Sequence, residues 1–357
     1  MPGRVTLADV ARIAGVSQTT ASFVLSGRRA EMRISEEVGT RVLQAVEATG
    51  YRPNIVSRSL RTGTTNTIGF VSDTVGTTPF AGHLIWGALD AAREREHLLI
   101  IAETEGDEEL EREAIAMMHD RRVDGIVFAS MFTRKLRVPS SLLDGPSVLL
   151  NAVPSKPMPV TSVIPDEAEA GRTAARALLE AGHRKGVYVV GAGTKPAQAP
   201  KGVFAATQRL IGINQVFAKA GTRLSGGVVL KDWQPREGYD ATCELLACKP
   251  QPRALICLND RLAVGAYQAL EDAGLKVGED TSVISFDDDA VATWLRPQLT
   301  SIGLPHYELG RRAVEILLSD RTGARGDGRI ELLPMPLRQR GSISKRADWS
   351  KAALQSM

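Results

Sequence analysis

The alternation of apolar and polar residues over the first fifty positions predicts three short helices. Thr6 can cap the first helix, Asp9 can complete a capping box, and Gly15 can end it in a left-handed conformation. The apolar face of this helix comprises Leu7, Val10, Ala11 and Ala14. The third helix begins after Ser35 and ends at Gly50. Its apolar stripe comprises Val38, Val42, Leu43 and Val46.

The second apolar segment completes a helix-turn-helix pattern. Ser17 can cap a helix whose inward residues are Ala21, Val24 and Leu25, whereas its first polar residues face outward. In DNA-binding proteins such a second helix lies in the major groove, with its N-terminal residues near base edges. The pattern is also compatible with a three-helix bundle that binds no DNA, because a lone helix-turn-helix match has many false positives.

The positive charge of the chain is concentrated in this head. Residues 1–61 contain nine arginines and no lysine against five acidic residues, a net charge of +4. The whole chain has a net charge of +3, so the remaining residues contribute −1. Because a DNA-binding surface must meet a phosphate backbone, this asymmetry favours a DNA-binding role for the head.

From residue 66 onward, short apolar runs alternate with helical stretches, a pattern typical of parallel sheets covered by helices on both faces. The predicted strands are 67–72, 98–102, 125–129, 148–151, 186–191, 227–230, 254–258 and 282–286. The predicted helices lie near 82–96, 107–120, 166–181, 207–220, 235–247, 260–273 and 306–319. The alternation restarts after Pro165, so the sequence predicts two Rossmann-like lobes. Ligands of open α/β sheets bind beyond the carboxyl ends of the strands, so we expect the binding site between the lobes.

Several motifs of the chain resemble those of the lactose-repressor (LacI/GalR) family of bacterial transcription regulators. In the head, the matching segments are Asp9-Val-Ala, Ala14-Gly-Val-Ser17, Thr20, Ser22 and Val24-Leu25. In the linker, they are Gly50-Tyr-Arg-Pro-Asn54 and Leu60. The resemblance extends from about Val5 to Ser342, and its motifs are specific in combination.

The resemblance implies an all-α helix-turn-helix head followed by an α/β two-lobed sensor that is similar to periplasmic binding proteins. We expect a DNA-binding domain at 1–49, a linker and hinge helix at 50–63, an effector-binding domain at 64–342 and a tail at 343–357. Lobe 1 would comprise about 64–164 and 297–330, and lobe 2 about 165–296 and 331–342.

The resemblance also implies how the head and hinge bind DNA. Hinge helices from two subunits would enter the minor groove, where Leu60 would wedge into the central base step. Leu60 could instead be a buried linker residue, although its polar neighbours argue against a core there. The expected DNA-binding residues are Thr6, Ser17, Gln18, Thr19, Thr20, Ser22, Phe23, Arg28, Arg29, Asn54, Ser57 and Leu60.

Two features of the head depart from the family. The family often has arginine at the position of Phe23, and phenylalanine offers only apolar contact to a base instead of a bidentate grip on guanine. The loop 26–34 is slightly longer than usual and carries Arg28, Arg29 and Arg33, which we expect to contact phosphates. The half-site sequence therefore cannot be transferred from other members.

In the sensor, the resemblance assigns residues to the cleft. Arg209 matches an effector-binding arginine, Asp287 offers a carboxylate to paired hydroxyls, and Trp233 could stack on a sugar ring. The expected effector-binding residues are Phe80, Met131, Asp166, Arg209, Trp233, Asn259 and Asp287. Each has an ordinary alternative, because an aspartate after a strand often caps a helix and a tryptophan is more often packed in a core. A long loop, 192–207, borders the cleft mouth and departs from the family.

These observations favour a regulator over two other classes. An enzyme is the main rival, but Gly191-Ala-Gly193 lacks the third glycine of a dinucleotide-binding loop, and no other catalytic motif is recognised. A secreted sugar-binding protein is the second rival, but the DNA head and the lack of a recognisable export signal favour a cytoplasmic protein. We expect no cofactor and no metal, since the three cysteines are too few and wrongly spaced for a zinc site.

The sequence therefore predicts a transcription repressor that binds a palindromic operator as a homodimer. A small-molecule effector, a sugar or sugar derivative, would bind between the two lobes and control it. The tail 343–357 lacks the leucine heptads that build a four-stranded bundle, which favours a dimer over a tetramer.

Overall fold

A computed structural model describes residues 5–51, 63–77, 82–200, 202–319 and 327–344 of the chain. The chain divides into two units, residues 1–65 and residues 66–357. In the described part of the chain, every helix is too short or too polar to cross a bilayer. The first unit is the helical head, and the second contains both α/β lobes.

The head consists of three helices, α1 (Leu7–Ala14), α2 (Gln18–Leu25) and α3 (Glu36–Thr49). The predicted capping box at α1 is confirmed, since Thr6 and Asp9 each accept a hydrogen bond from the other's backbone amide. Gly15 ends α1 with a φ of 66°, as the sequence predicts, and the amide of Gly15 binds carbonyls of the last turn. The local chemistry of the head therefore defines where its first helix begins and ends.

One residue of the predicted core of the head is misassigned. The side chain of Leu43 is 57% exposed, whereas Val42 and Ala45 are buried at 0% and 3%. Helix α3 crosses the other two helices through Gly39, Val42 and Ala45, which lie at three-residue intervals. The buried face is thus rotated away from Leu43, because the small side chains of glycine and alanine allow a closer approach than leucine does.

The second unit contains two six-stranded sheets with helices on their faces. The strands are β1 (Thr67–Ser72), β2 (Leu98–Glu103), β3 (Gly125–Leu136), β4 (Ser147–Pro154), β5 (Thr161–Pro165), β6 (Val187–Gly191), β7 (Gly226–Val229), β8 (Ala254–Cys257), β9 (Ser282–Asp287), β10 (Thr300–Gly303), β11 (Ile330–Leu333) and β12 (Leu337–Arg338). The helices are α4 (Gly82–Glu94), α5 (Glu108–Asp120), α6 (Glu167–Glu180), α7 (Phe204–Lys219), α8 (Pro235–Leu246), α9 (Asp260–Asp272), α10 (Val291–Trp294) and α11 (His306–Ser319).

The strand order of both sheets is that of doubly wound α/β lobes. The first sheet runs β11-β5-β4-β3-β1-β2 and the second β12-β10-β9-β8-β6-β7. All pairings are parallel except that of β10 with β12. In the first lobe, successive residues of β1 and β3 point to opposite faces of the sheet. One face packs against α4 and α11, and the other packs against α5. The two-residue period of the strands therefore supplies two apolar layers, as both-sided burial requires.

Two of the predicted crossovers between the lobes fall several residues too early. Strand β10 pairs with β9 in the second sheet, so the chain leaves lobe 2 after residue 303 and not near 296. Strand β11 pairs with β5 in the first sheet, so the return to lobe 2 follows residue 333 and not 330. Strands β5, β10, β11 and β12 were also not predicted. These strands are short or exposed on one side, so their apolar runs are weaker than those of the central strands.

Three pairs of helices in this unit touch backbone to backbone through reciprocal glycines. A Cβ atom on Gly171 of α6 would lie 2.1 Å from the carbonyl oxygen of Arg209 on α7. A Cβ atom on Gly212 of α7 would lie 2.0 Å from the carbonyl oxygen of Ala168 on α6. The same arrangement joins α4 to α11 through Gly87 and Gly310, and α8 to α9 through Gly238 and Gly265. No side chain larger than hydrogen fits at these six positions without separating the helices.

We therefore expect Gly212→Ala to destabilise the protein, although alanine has the higher helix propensity. The added methyl must displace the backbone of α6, and overpacking of this kind costs about 1–3 kcal/mol. Thermal unfolding of the variant and of Gly82→Ala measures the effect. Gly82 is a matched control, because no atom of the described residues lies within 4 Å of a Cβ atom placed on it. Equal melting temperatures for the two variants would contradict the close packing of α6 on α7.

Candidate DNA interface and ligand cavity

The recognition helix α2 presents its first residues to the outside. Gln18 and Thr19 are exposed, whereas Thr20, Ser22 and Phe23 are half-buried. Ala21 and Val24 face the core of the head. The predicted orientation of the helix is thus found in the structure, and the residues that would read bases are Gln18 and Thr19, with the exposed parts of Ser22 and Phe23 beside them.

Three of the expected DNA contacts already have structural roles at helix ends. The Oγ atom of Ser17 accepts a hydrogen bond from the amide of Thr20 at 3.0 Å, and the two hydroxyl oxygens lie 2.9 Å apart. The hydroxyl of Thr6 donates to Asp9 at 2.7 Å. These bonds hold the starts of α1 and α2. A DNA contact by these residues would add to the capping bonds.

The arginines of the loop after α2 are engaged with acidic residues. The guanidinium of Arg28 donates to both carboxylate oxygens of Glu31, at 2.7 and 2.6 Å, and lies 5.4 Å from the centroid of the Phe23 ring. The hydrogen bonds from Arg28 hold the pKa of Glu31 below its ordinary value. Arg29 packs against Gly39 and lies 3.8 Å from Glu36. Phe23 and Arg28 thus form one surface, a cation stacked on a ring, at the end of the recognition helix.

Four expected site residues lie outside the described part of the chain. They are Asn54, Ser57 and Leu60 of the linker and Phe80 of the first lobe. Their proposed roles remain those that the sequence suggests.

A cavity of about 320 Å³ lies between the two lobes, at the carboxyl ends of the central strands. Five of the seven expected effector-binding residues line it: Met131, Arg209, Trp233, Asn259 and Asp287. Met131 is buried, and its neighbour Phe132, which also lines the cavity, is 57% exposed. The volume is at the lower end of the range typical of small-molecule sites.

Asp166 does not line this cavity. Its carboxylate accepts a hydrogen bond from the amide of Glu169 at 2.9 Å and caps α6. The ordinary alternative for an aspartate after a strand therefore applies at this position. The following residue, Glu167, lines the cavity instead.

Asn259 fixes the position of Trp233. The Oδ1 atom of Asn259 accepts from the amide of Leu262 at 2.8 Å, and its Nδ2 group donates to the carbonyl of Trp233 at 3.2 Å. The indole nitrogen of Trp233 donates to the carbonyl of Gly191 at 3.1 Å. We expected Asn259 to offer its donor and acceptor to a ligand, but both are engaged within lobe 2. Its geometry is that of a positioning residue for the indole.

Arg209 is held in a buried ion pair. Its Nε atom donates to Glu167 at 2.6 Å, one Nη atom donates to the second carboxylate oxygen at 3.2 Å, and the other Nη atom donates to the carbonyl of Leu258. The side chains of Arg209 and Glu167 are 3% and 2% exposed. The guanidinium carbon lies 4.3 Å from the centroid of Phe286. This network follows from the glycine contact of α6 with α7, which brings the first turn of α6 beside the second turn of α7.

The segment after β9 supplies three consecutive carboxylates to the cavity, Asp287, Asp288 and Asp289. Burial raises the pKa of Asp287, although Arg209, whose Nη2 atom lies 4.0 Å away, opposes this shift. Asp288 accepts a hydrogen bond from Arg340 at 2.7 Å. The backbone of Asp289 donates to the carboxylate of Asp260 at 2.8 Å.

The buried carboxylate of Asp260 holds the segment 287–289 in place through this hydrogen bond. Its carboxylate accepts hydrogen bonds from the hydroxyls of Ser285 and Ser301, the latter at 2.7 Å. Burial raises the pKa of Asp260 to about 6. The hydroxyl of Ser285 is therefore one of the donors to the buried carboxylate that holds the segment 287–289.

Two polar residues of lobe 1 were missed by the sequence analysis. Within the described part of the chain, the Oδ1 atom of Asn151 and the Nδ1 atom of His306 are buried and have no hydrogen-bond partner. Both residues line the cavity. Burial lowers the pKa of His306 to about 4, so its ring is neutral at pH 7. Asn151 is the last residue of the predicted strand 148–151, so the rule that ligands bind at strand ends could have identified it. In the structure it lies inside β4, where the pairing with β3 shifts register. His306 carried no such signal.

Backbone strain is concentrated around the same cavity. Among the described residues, nine other than glycine have positive φ angles, and four of them line the cavity: Asn151, Trp233, Asp287 and Asp288, with φ of 54°, 53°, 112° and 55°. Such conformations are costly for residues other than glycine and cluster at functional sites. Together with the unpartnered polar atoms, they make this cavity the candidate binding site of the described part of the chain.

The two lobes also touch at the mouth of the cavity. The ammonium group of Lys135, on β3 of lobe 1, lies 5.7 Å from the ring centroid of Phe204, at the start of α7 in lobe 2. Phe204 lies within the predicted loop 192–207, but the structure shows that residues 204–207 of this segment are helical. Within the described residues, no group of three or more histidine, cysteine, aspartate or glutamate side chains is arranged to hold a metal ion.

The chain combines a helix-turn-helix head with a two-lobed domain that has a polar cavity between its lobes. This combination is typical of transcription regulators with a ligand-binding domain. The chain belongs to the LacI family of bacterial regulators. Residues 65–332 match the periplasmic binding proteins and sugar binding domain of the LacI family. Residues 6–54 match the bacterial regulatory proteins of the lacI family.

Relatives of the chain share nearly its whole length. It is 33% identical over 337 residues to the HTH-type transcriptional repressor PurR of Haemophilus influenzae (strain PittEE), covering 92% of this chain and 96% of the relative. It is 32% identical over 342 residues to the ribose operon repressor of Escherichia coli (strain K12), covering 94% and 99%. Both relatives are transcriptional repressors, so this chain is a DNA-binding regulator and not an enzyme.

The fold is that of the lac repressor. The crystal structure of the lac repressor dimer bound to operator and the anti-inducer ONPF has a TM-score of 0.77 to this chain at 24% identity. The superposition covers 95% of this chain and 99% of that chain. The predicted combination of a helical head and two parallel-sheet lobes is thereby confirmed.

The pair of Arg28 and Glu31 allows a test of the head surface. We expect Glu31→Gln to raise the affinity for non-specific duplex DNA several-fold, because the charge of Arg28 is no longer balanced. If Arg28 then contacts a phosphate, the slope of log affinity against log salt should steepen by about 1. Fluorescence anisotropy over a salt series measures both. Glu47→Gln, which removes an exposed acid from α3, is the control for net charge. Identical changes in both variants would show that Arg28 has no particular part in DNA binding.

Proposed function

We propose that the chain is a repressor whose affinity for a palindromic operator is controlled by a small polyhydroxylated molecule bound between the lobes. The observation that carries this proposal is the composition of the cavity, which draws Asn151 and His306 from lobe 1 and Arg209, Trp233 and Asp287 from lobe 2. A ligand that contacts both walls stabilises one arrangement of the lobes over others. It can therefore shift the protein between two states by its differential affinity, typically about 1–3 kcal/mol.

The chemistry of the walls supports a sugar or sugar derivative. The indole of Trp233 and the ring of Phe132 supply apolar faces, and the carboxylates of 287–289 supply acceptors for hydroxyl groups. The unpartnered atoms of Asn151 and His306 can each form a hydrogen bond with a ligand hydroxyl. One relative is named as the repressor of a ribose operon, which accords with a sugar effector.

We also propose that the functional unit is a cytoplasmic homodimer. Its head, linker, sensor and tail would have the limits that the sequence suggests, with the lobe crossovers after residues 303 and 333. Apolar side chains are exposed on edge strand β2, at Leu98 (63%) and Ile101 (39%), and on α5, at Leu110 (47%) and Met117 (48%). Exposed apolar groups of this size at a sheet edge favour association with a second copy. The lac repressor, which shares this fold, has been solved as a dimer on its operator.

Selection of bound duplexes from a random-sequence DNA library tests operator recognition. We expect the wild-type protein to recover an inverted repeat with a fixed central step. Thr19→Ala should weaken binding to the recovered sequence by about 1–3 kcal/mol per half-site while retaining binding to unrelated DNA, because it removes a side chain that faces the bases. Recovery of no common sequence, with or without a sugar library present, would count against operator binding.

Asn151 provides a test of the ligand site. We expect Asn151→Ala to reduce the response of operator affinity to an active sugar at least several-fold, since a buried ligand contact is lost, while affinity without sugar is unchanged. Asn214→Ala is the matched control, because Asn214 donates to the carbonyls of Thr194 and Leu210 and is not among the described residues that line the cavity. A full response in Asn151→Ala would place the effector elsewhere.

A further inference from the structure

We propose that Glu167 is a specificity-determining residue that excludes phosphorylated and acidic ligands from the inter-lobe cavity. The proposal rests on the proposed function of this cavity as the effector site. It goes further by naming the charge class of the ligand, an uncharged polyhydroxylated molecule, and the residue that enforces it.

The guanidinium of Arg209 already has hydrogen-bond partners within the protein. A guanidinium that recognises phosphate or carboxylate does so through two parallel N–H groups on one edge. In this chain, the edge formed by Nε and Nη2 donates to both carboxylate oxygens of Glu167, at 2.6 and 3.2 Å. Another N–H donates to the carbonyl of Leu258, and one face lies on Phe286. The group best suited to bind an anion is therefore already paired.

The ion pair of Arg209 and Glu167 is held by the contact between its two helices. Glu167 lies in the first turn of α6 and Arg209 on α7, and these helices are in backbone contact at Gly171 and Gly212. Both charged side chains are almost fully buried. A ligand anion could take Arg209 only by leaving the carboxylate of Glu167 buried without a partner, which is strongly unfavourable.

Acidic side chains outnumber arginines in the lining of the cavity. The cavity is lined by four acidic side chains and two arginines. Arg209 is paired with Glu167, and Arg340 pairs with Asp288 from outside the cavity. Asp287 and Asp289 then face the ligand with Arg261 as the second lining arginine. These carboxyl groups accept hydrogen bonds from hydroxyl groups, and in their ionised form they also repel an anion, so the wall favours uncharged sugars over their phosphates and acids.

The experiment compares matched ligands on the full-length protein. D-Ribose, D-glucose and D-galactose are each paired with the corresponding sugar phosphate and aldonic acid, and binding is measured by calorimetry and thermal shift. We expect the wild-type protein to bind each uncharged sugar more tightly than the corresponding phosphate or acid. Equal or tighter binding of any phosphate or acid than of its parent sugar would overturn the proposal without the use of a variant.

The variant Glu167→Gln tests whether the carboxylate of Glu167 excludes anions from the cavity. It keeps a hydrogen-bond acceptor for Arg209 but removes the charge, so we expect the affinity for the sugar phosphates to rise by about tenfold relative to wild type, the effect of one nearby charge. Glu169→Gln is the matched control, since Glu169 lies on the same helix and pairs with Arg172 and Arg176 at the surface. A gain in both variants, or in neither, would overturn the role of Glu167.

These outcomes are separate from failure of the proposed function. If no uncharged sugar binds the wild type, the sugar-responsive repressor is contradicted. The anion affinities of the two variants still decide whether Glu167 masks Arg209. If Glu167→Gln does not fold, as judged by circular dichroism, the wild-type comparison of each sugar with its phosphate decides the charge class.

Discussion

Close contact between helix backbones at reciprocal glycines is the constraint on which the ligand site depends. Each of the three glycine pairs lies about one helical turn from two residues that line the cavity. His83 and His306 precede Gly87 and Gly310, Glu167 and Arg209 precede Gly171 and Gly212, and Trp233 and Asn259 precede Gly238 and Gly265. Because these helices run side by side with their N-termini at the same end, the contacts converge at the carboxyl ends of the strands. Larger residues at the crossings would push the paired helices apart, because a Cβ atom there would lie 1.9–2.3 Å from a backbone carbonyl oxygen.

The cavity combines groups that are satisfied within the protein with groups that are not. In lobe 2, the donors and acceptors of Asn259 and Arg209 are used internally, and they fix the indole and the carboxylates around them. In lobe 1, Asn151 and His306 have buried atoms without a partner among the described residues. The lining of lobe 2 is thus held by internal hydrogen bonds, whereas the lining of lobe 1 has polar atoms without partners. This arrangement suits a ligand-controlled switch, because a ligand can supply the missing hydrogen bonds only when both lobes are close to it.

The head shows a comparable division between support and recognition. Ser17, Thr20 and Thr6 hold helix ends, which leaves Gln18 and Thr19 exposed at the start of the recognition helix. The ring of Phe23, at a position where the family resemblance suggests an arginine, is stacked with Arg28 of the following loop. A guanidinium on a ring, balanced by Glu31, presents a different surface to a base pair. This difference provides a physical reason to expect a half-site specific to this protein.

The sequence by itself determined the class of fold, the helix-turn-helix and most of the central strands, because capping and apolar periodicity act over a few residues. It also indicated five residues of the cavity wall. Only the tertiary structure decided their roles: Asp166 caps a helix, Asn259 positions Trp233, and Arg209 is paired with Glu167. The carboxylate of Glu167 and the guanidinium of Arg209 are 42 residues apart in the chain. Their pairing depends on a helix contact that no local pattern encodes. For the same reason neither His306 nor the short strands β10 and β11, which move the crossovers to residues 303 and 333, could be recognised from local patterns.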